Sequence, residues 1–163
     1  MIWQHNTQQC GFTLIELVVT VAIVALLASM AIPMAEMVVK HTKEQELRLA
    51  LREIRDAIDA YKEAVDEGRV VNSLQLTGYP ESLKVLVEGV PDASSPDTKK
   101  KIYFLRRIPR DPMFNDPARP DDETWGMRSY ESSYDAPEEG DDVYDVYSTA
   151  NDTGLNGIPY RNW

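Results

Sequence analysis

Residues 11–35 read GFTLIE followed by LVVTVAIVALLASMAIPMA, and this stretch decides the fold. The nineteen positions from 17 to 35 carry no charge, close to the roughly 20 apolar residues that carry an α-helix across a bilayer. A helix this long and apolar on every face is a membrane segment rather than the one-sided helix of a soluble core. No Lys or Arg precedes it and helical sequence continues beyond it, so it reads as a retained anchor, not as a cleaved secretory signal. One carboxylate, Glu16, stands at its entrance. A lone charge there costs on the order of 3 kcal/mol on insertion scales and marks function. Pro33 removes an amide donor inside the run, which predicts a kink or local melting.

Beyond the anchor the apolar period narrows to one stripe. Leu47, Leu51, Ile54, Ile58, Tyr61 and Val65 recur at intervals of 4, 3, 4, 3 and 4, the signature of an amphipathic helix. Arg48, Arg52, Glu53, Arg55, Asp56, Asp59 and Lys62 form its solvated face, and Gly68 marks its end. Residues 12–67 are then one nearly continuous helix of about 80 Å at ~1.5 Å per residue. The remainder predicts a small α+β domain. Residues 80–88 form a short helix burying Leu83, Leu86 and Val87, opened by a proline near its first turn. Residues 90–100, VPDASSPDTKK, are an exposed loop. Residues 102–105, 127–131 and 143–148 are strands of an antiparallel sheet, because no connection is long enough for a parallel crossover.

Composition excludes most other functions. The 163 residues hold 17 Lys+Arg against 27 Asp+Glu, a formal charge of −10, which repels the phosphates of nucleic acid. Cys10 is the only cysteine, so neither an intramolecular disulfide nor a Cys-based zinc site forms. His5 and His41 are the only imidazoles and flank the apolar run, which leaves no base for a hydrolase triad. No phosphate-cradling glycine loop is present, and the chain reads as a non-enzyme. Residues 111–152 hold 13 acidic side chains against Arg119 and Arg128. That run is a solvated face that keeps the domain soluble, or a set of oxygen ligands for calcium. Its spacing does not follow the Asp-x-Asp-x-Asp-Gly loop.

Glu16 needs a compensating charge. Were the chain cut after Gly11, the new α-amino group of Phe12 would lie four residues from Glu16 with the opposite sign. In a bundle of such helices, Glu16 of one copy would pair with the Phe12 amine of its neighbour and set an axial register, since low dielectric rewards the pair and penalises a lone carboxylate.

Gly-Phe-Thr-Leu-Ile-Glu before an apolar helix resembles the class III signal of type IV pilins and pseudopilins. The resemblance implies a leader, residues 1–11, removed by a prepilin peptidase between Gly11 and Phe12, methylation of the Phe12 amine, and Glu16 as the assembly carboxylate. Pro33 falls where the family has its helix-kinking proline. Tyr79-Pro80, Leu83, Leu86, the run Arg107-Ile108-Pro109-Arg110-Asp111-Pro112, Asp145-Val146-Tyr147-Ser148, Asn151-Asp152 and Asn162-Trp163 resemble the landmarks of the major, G-type pseudopilin of type II secretion systems. The chain lacks the C-terminal cysteine pair of an ordinary type IVa pilin.

That likeness implies an α+β, pilin-like fold with a transmembrane and assembly helix over 12–39 and a periplasmic domain over 40–163. The latter comprises an amphipathic helix 40–67, the short helix 80–88, and the sheet and acidic loops 102–163. It implies a helical homopolymer in the periplasm that aids export of folded proteins across the outer membrane. Prepilin peptidase, minor pseudopilins, and an inner-membrane platform with its ATPase are the implied partners. The alternatives are a type IV pilus or competence-type pilin, and a non-polymerising anchored binding domain.

The chain departs from the family at three points. The leader lacks basic residues, while Lys40, Lys43, Arg48, Arg52 and Arg55 follow the anchor. Charge alone therefore favours a cytoplasmic C-terminus, the reverse of the family's orientation, which is adopted here. The family's C-terminal loop binds calcium through two aspartates. Asp152 matches the first, Pro159 stands where the second would be, and Asp141, Asp142 and Asp145 are the candidate substitutes. The acidic stretch 121–142 is longer than the family norm.

Overall fold

A computed structural model describes residues 11–71, 77–97 and 99–163; residues 1–10, with His5, Cys10 and most of the expected leader 1–11, lie outside the described residues. The chain divides into two compact units, Met1–Lys40 and His41–Trp163. Helix α1, Leu14–Asp66, begins in the first and is the scaffold of the second. The helix runs through Pro33 without a break, so the local melting expected there does not occur. One missing amide among some fifty helical residues is outweighed by the intact hydrogen bonds on either side.

The second unit is built on the stripe. Leu47, Leu51, Ile54, Ile58 and Tyr61 are all buried. Ala50, Ala57 and Ala64, seven residues apart, are buried beside them. Their small side chains widen the stripe without adding bulk. The helix stops in a Schellman arrangement: Gly68, at φ 71°, donates its amide to the Val65 carbonyl and Arg69 donates to Ala64, both at 2.9 Å.

Helix α2, Leu83–Glu88, starts three residues later than predicted, because Pro80, Glu81 and Ser82 form the turn that leads into it. Leu83 and Leu86 enter the core as expected.

The strands are shorter and differently placed than the sequence pattern predicts. Two separate antiparallel pairs replace the single sheet. Strand β1, Val90–Pro91, pairs with β2, Lys101–Ile102, so the predicted exposed loop begins as a strand. Asp92 closes the loop between them, accepting from the Ser94 amide at 3.1 Å and from the Lys100 ammonium at 3.2 Å. Strand β2 ends early because the Phe104 and Leu105 amides both donate to the Leu86 carbonyl at 3.0 Å, which ties the chain to α2 instead of extending a ladder. Strand β3, Trp125–Arg128, begins two residues before the predicted one and pairs with β4, Asp145–Ser148, in the register Trp125↔Ser148 to Arg128↔Asp145. It ends at Arg128 because the Ser129 amide turns to the Glu138 carbonyl. Gly126 lies under the Tyr147 ring, where a Cβ would come within 2.4 Å of ring carbons.

The aromatic side chains of and around β3 and β4 are only partly internal. Trp125 is buried, its indole donating to the Pro109 carbonyl at 2.8 Å. Tyr130 is largely exposed and stacks with Tyr79, and Tyr144 meets both edge-on.

Candidate functional site

The start of α1 is a capping box. Thr13 is the residue before the first helical turn, and its carbonyl accepts the first helical bond from the Leu17 amide at 3.2 Å. The Thr13 hydroxyl accepts from the Glu16 amide at 3.3 Å, while the Glu16 carboxylate accepts from both the Thr13 amide and the Thr13 hydroxyl at 2.8 Å. Thr-Leu-Ile-Glu thus satisfies donors that a helix terminus otherwise leaves open. The Glu16 Oε2 is already shared by two short hydrogen bonds within its own chain, and Phe12, immediately before the cap, is exposed.

After this polar knot comes an uncovered apolar cylinder. Ile15 is 70% exposed and Leu26 63%, and the described side chains between Leu14 and Val39 are exposed in every direction around the axis. The two hydroxyls within it bond to their own helix: Thr20 donates to the Leu17 carbonyl at 2.9 Å and Ser29 to Leu26 at 2.7 Å. Internal pairing of this kind removes the cost of carrying hydroxyls into an apolar surrounding. By length and composition this helix can cross a membrane.

In the second unit the run 107–112 is pinned by one buried side chain, Asp111. The Asp111 side chain is 0% exposed, accepting from the Ser148 hydroxyl at 2.6 Å and the Met113 amide at 2.8 Å. Its own amide donates to Thr124 Oγ1 at 3.2 Å. Burial pushes the Asp111 carboxyl above the usual carboxylate range, against the lowering effect of Ser148, Met113 and Arg110. The charged form therefore costs stability at neutral pH, and that cost is relieved as pH falls through the raised pKa towards the unfolded value. Urea unfolding across pH 4–7 is expected to find the wild type gaining stability relative to Asp111→Asn as pH falls; a constant difference would exclude the effect.

Asp145 joins three segments. It accepts from Arg55 Nε on α1 at 2.7 Å and from Arg128 on β3 at 3.2 Å while belonging to β4. Arg55, predicted on the solvated face, is half-buried by this contact and also donates to the main-chain oxygens of Val146 and Trp163.

The predicted calcium ligands are not gathered. Asp152 is exposed, and its carbonyl accepts from the Tyr160 amide at 3.2 Å. Of the possible substitutes, Asp142 accepts from the Thr77 hydroxyl and from the Tyr130 amide, and Asp145 is held by two arginines. Among the described residues no group of three or more His, Cys, Asp or Glu side chains is placed to hold a metal ion. Asp142 and Asp145 are thus already committed to protein donors, and the described acidic side chains do not gather into a cluster for calcium.

Sequence reasoning passed over one group. Glu44, which the sequence pattern does not single out, is buried and accepts from the Leu155 amide and the Tyr160 hydroxyl. Its signal was available: Glu44 lies three residues before Leu47 and so extends the apolar stripe by one position.

Two comparisons with known proteins bear on these features. Residues 6–32 match the prokaryotic N-terminal methylation motif. The chain is also similar to the type II secretion system core protein G of Pseudomonas aeruginosa and to that of Aeromonas hydrophila. Each is 28% identical over 111 residues, covering 68% of this chain and 72% of the relative. No solved structure matches the chain.

Proposed function

From the premise that this α+β, pilin-like chain carries the N-terminal methylation motif and resembles the G-type pseudopilins of type II secretion, we propose that it is a structural subunit, not an enzyme, of a type II secretion pseudopilus. The observation that carries the reading is the conjunction of a capped, carboxylate-bearing helix start with an apolar cylinder that no described residue covers.

Such a helix has two stable surroundings, lipid and the like helices of other subunits. The subunit is stored in the inner membrane through residues 12–39, its leader in the cytoplasm and the domain 40–163 in the periplasm. Prepilin peptidase cuts between Gly11 and Phe12, and the Phe12 amine is methylated. On assembly, Leu14, Ile15, Val18 and their neighbours exchange lipid for neighbouring helices, at little net cost because both surroundings are apolar. Glu16 exchanges its bonds to Thr13 for the Phe12 amine of the adjacent subunit, which fixes the axial register. Pro33, which leaves one amide out of the otherwise continuous helix, is the position at which the packed segment yields on assembly. Minor pseudopilins and an assembly platform powered by an ATPase complete the machine.

The decisive measurement is the intact mass and N-terminal sequence of the membrane-extracted protein, from cells with and without prepilin peptidase. A chain beginning at methylated Phe12 only when the peptidase is present is the expected result. A Met1 start in both strains would exclude the pilin pathway and leave a plain membrane anchor.

A further inference from the structure

Among the described residues Glu44 is the one carboxylate of α1 that is buried, with 2% of its side chain exposed. Its Oε1 accepts from the Leu155 amide at 2.7 Å and the Tyr160 hydroxyl at 3.0 Å, groups more than a hundred residues further along the chain. Arg48, one turn on, reaches within 4.0 Å of Oε2 while its guanidinium lies 4.3 Å above the Trp163 ring. Around this carboxylate the C-terminal loop closes on itself. Thr153 bridges Pro159, Gly154 donates to the Ile158 carbonyl at 2.9 Å, Gly157 donates to Gly154 at 2.9 Å, and Tyr160 donates to Asp152 at 3.2 Å. The Trp163 ring occupies the space beside Gly154 that a Cβ would need. Tyr160 is held as a neutral donor: burial first, then the Glu44 carboxylate, push its hydroxyl up to about 12.

We propose that Glu44 takes the structural place that calcium takes in the pseudopilins this chain resembles, so that the loop 150–163 is organised by a carboxylate from α1 and requires no cation. The two devices solve the same problem with opposite charge. A cation gathers carbonyl and carboxylate oxygens, which are acceptors. Glu44 gathers an amide and a hydroxyl, which are donors, and Pro159 stands where a second aspartate would otherwise complete the acceptor set. Removing Glu44 leaves the buried Tyr160 hydroxyl and the part-buried Leu155 amide without this acceptor, a larger penalty than the loss of two solvent-exposed bonds. The inference concerns the loop and is independent of whether the chain polymerises.

The test uses the full chain extracted in detergent, with hydrogen exchange of the peptide 150–163 and the thermal midpoint as readouts. For the wild type, both are expected to be the same in excess EDTA and in excess calcium chloride. Glu44→Ala is expected to raise exchange in that peptide about tenfold to a hundredfold, in line with a lost buried acceptor. Glu44→Gln, which keeps an oxygen at the same place, should restore most of the protection, and Tyr160→Phe should give a smaller loss than Glu44→Ala. Protection that depends on calcium in the wild type would overturn the proposal, as would a Glu44→Ala chain as protected as the wild type. Should Glu44→Ala fail to fold, judged by the emission of buried Trp125, the calcium comparison and Tyr160→Phe decide alone: a calcium-dependent loop, or an unchanged Tyr160→Phe, overturns it.

Discussion

Glu16→Ala is expected to reduce filament assembly to background while leaving the thermal midpoint of the His41–Trp163 unit unchanged. Two effects act in the same direction. The lone carboxylate at the membrane entrance costs on the order of 3 kcal/mol in lipid, so its removal makes the stored state more favourable and extraction harder. The substitution also removes the partner of the neighbouring amine and with it the register. Loss of the cap adds a third, smaller effect, about 1 kcal/mol at the helix start, because Glu16 accepts from the Thr13 amide at 2.8 Å. Glu16→Gln separates these contributions, since its amide oxygen still accepts from Thr13 but carries no charge. On the proposed reading Glu16→Gln keeps the helix start and still fails to assemble. Counting sheared filaments and intermolecular cross-links against a folded-domain control checks this. Wild-type filament yield from both variants would leave register without its determinant and favour a non-polymerising anchor.

The second large effect is on stability. Leu86→Ala is expected to cost the second unit about 2–5 kcal/mol, the range for emptying a fully buried leucine site. Leu86 is 0% exposed, and its carbonyl holds both the Phe104 and Leu105 amides. A six-residue helix cannot persist by propensity, so α2 depends on what it buries. Out of a total of roughly 5–15 kcal/mol for a domain, such a loss lowers the midpoint by on the order of 10 °C. Leu49→Ala, at a site 62% exposed on α1, is the control and should stay within about 0.5 kcal/mol of the wild type. Denaturant unfolding followed by Trp125 fluorescence reads both. A cost below about 1 kcal/mol for Leu86→Ala would mean that α2 is not the keystone described.

The helical half of the fold was legible because its signals are local. The intervals among Leu47, Leu51, Ile54, Ile58 and Tyr61 name the buried face, and Gly68 names the stop. The capping box is visible in the sequence as Thr-x-x-Glu, although a lone carboxylate before an apolar run points first to its charge and only then to a bond with Thr13. The strands were misplaced because their limits are set by bonds to non-neighbours, such as Phe104 to Leu86 and Ser129 to Glu138, which no period encodes. The same holds for the buried carboxylates. Asp111 meets Ser148 across 37 residues and Glu44 meets Tyr160 across 116, so acidic residues that look alike in the sequence have quite different surroundings.

The acidic excursion between β3 and β4 leaves and re-enters the domain at one narrow neck. The Ser129 amide reaches the Glu138 carbonyl, the Tyr130 amide reaches Asp142, and Gly140 passes so close to Ser129 that a Cβ would stand 2.7 Å from its neighbour. Residues 131–137 hang outside that neck, largely exposed. Lengthening a flexible loop already closed at its base costs only about 0.6 kcal/mol per doubling. The tip is therefore a graft site: a short epitope or fluorophore tag spliced between Ser133 and Asp135 would ride on the surface without disturbing either the helix or the C-terminal loop, and would let single subunits be followed from membrane to fibre.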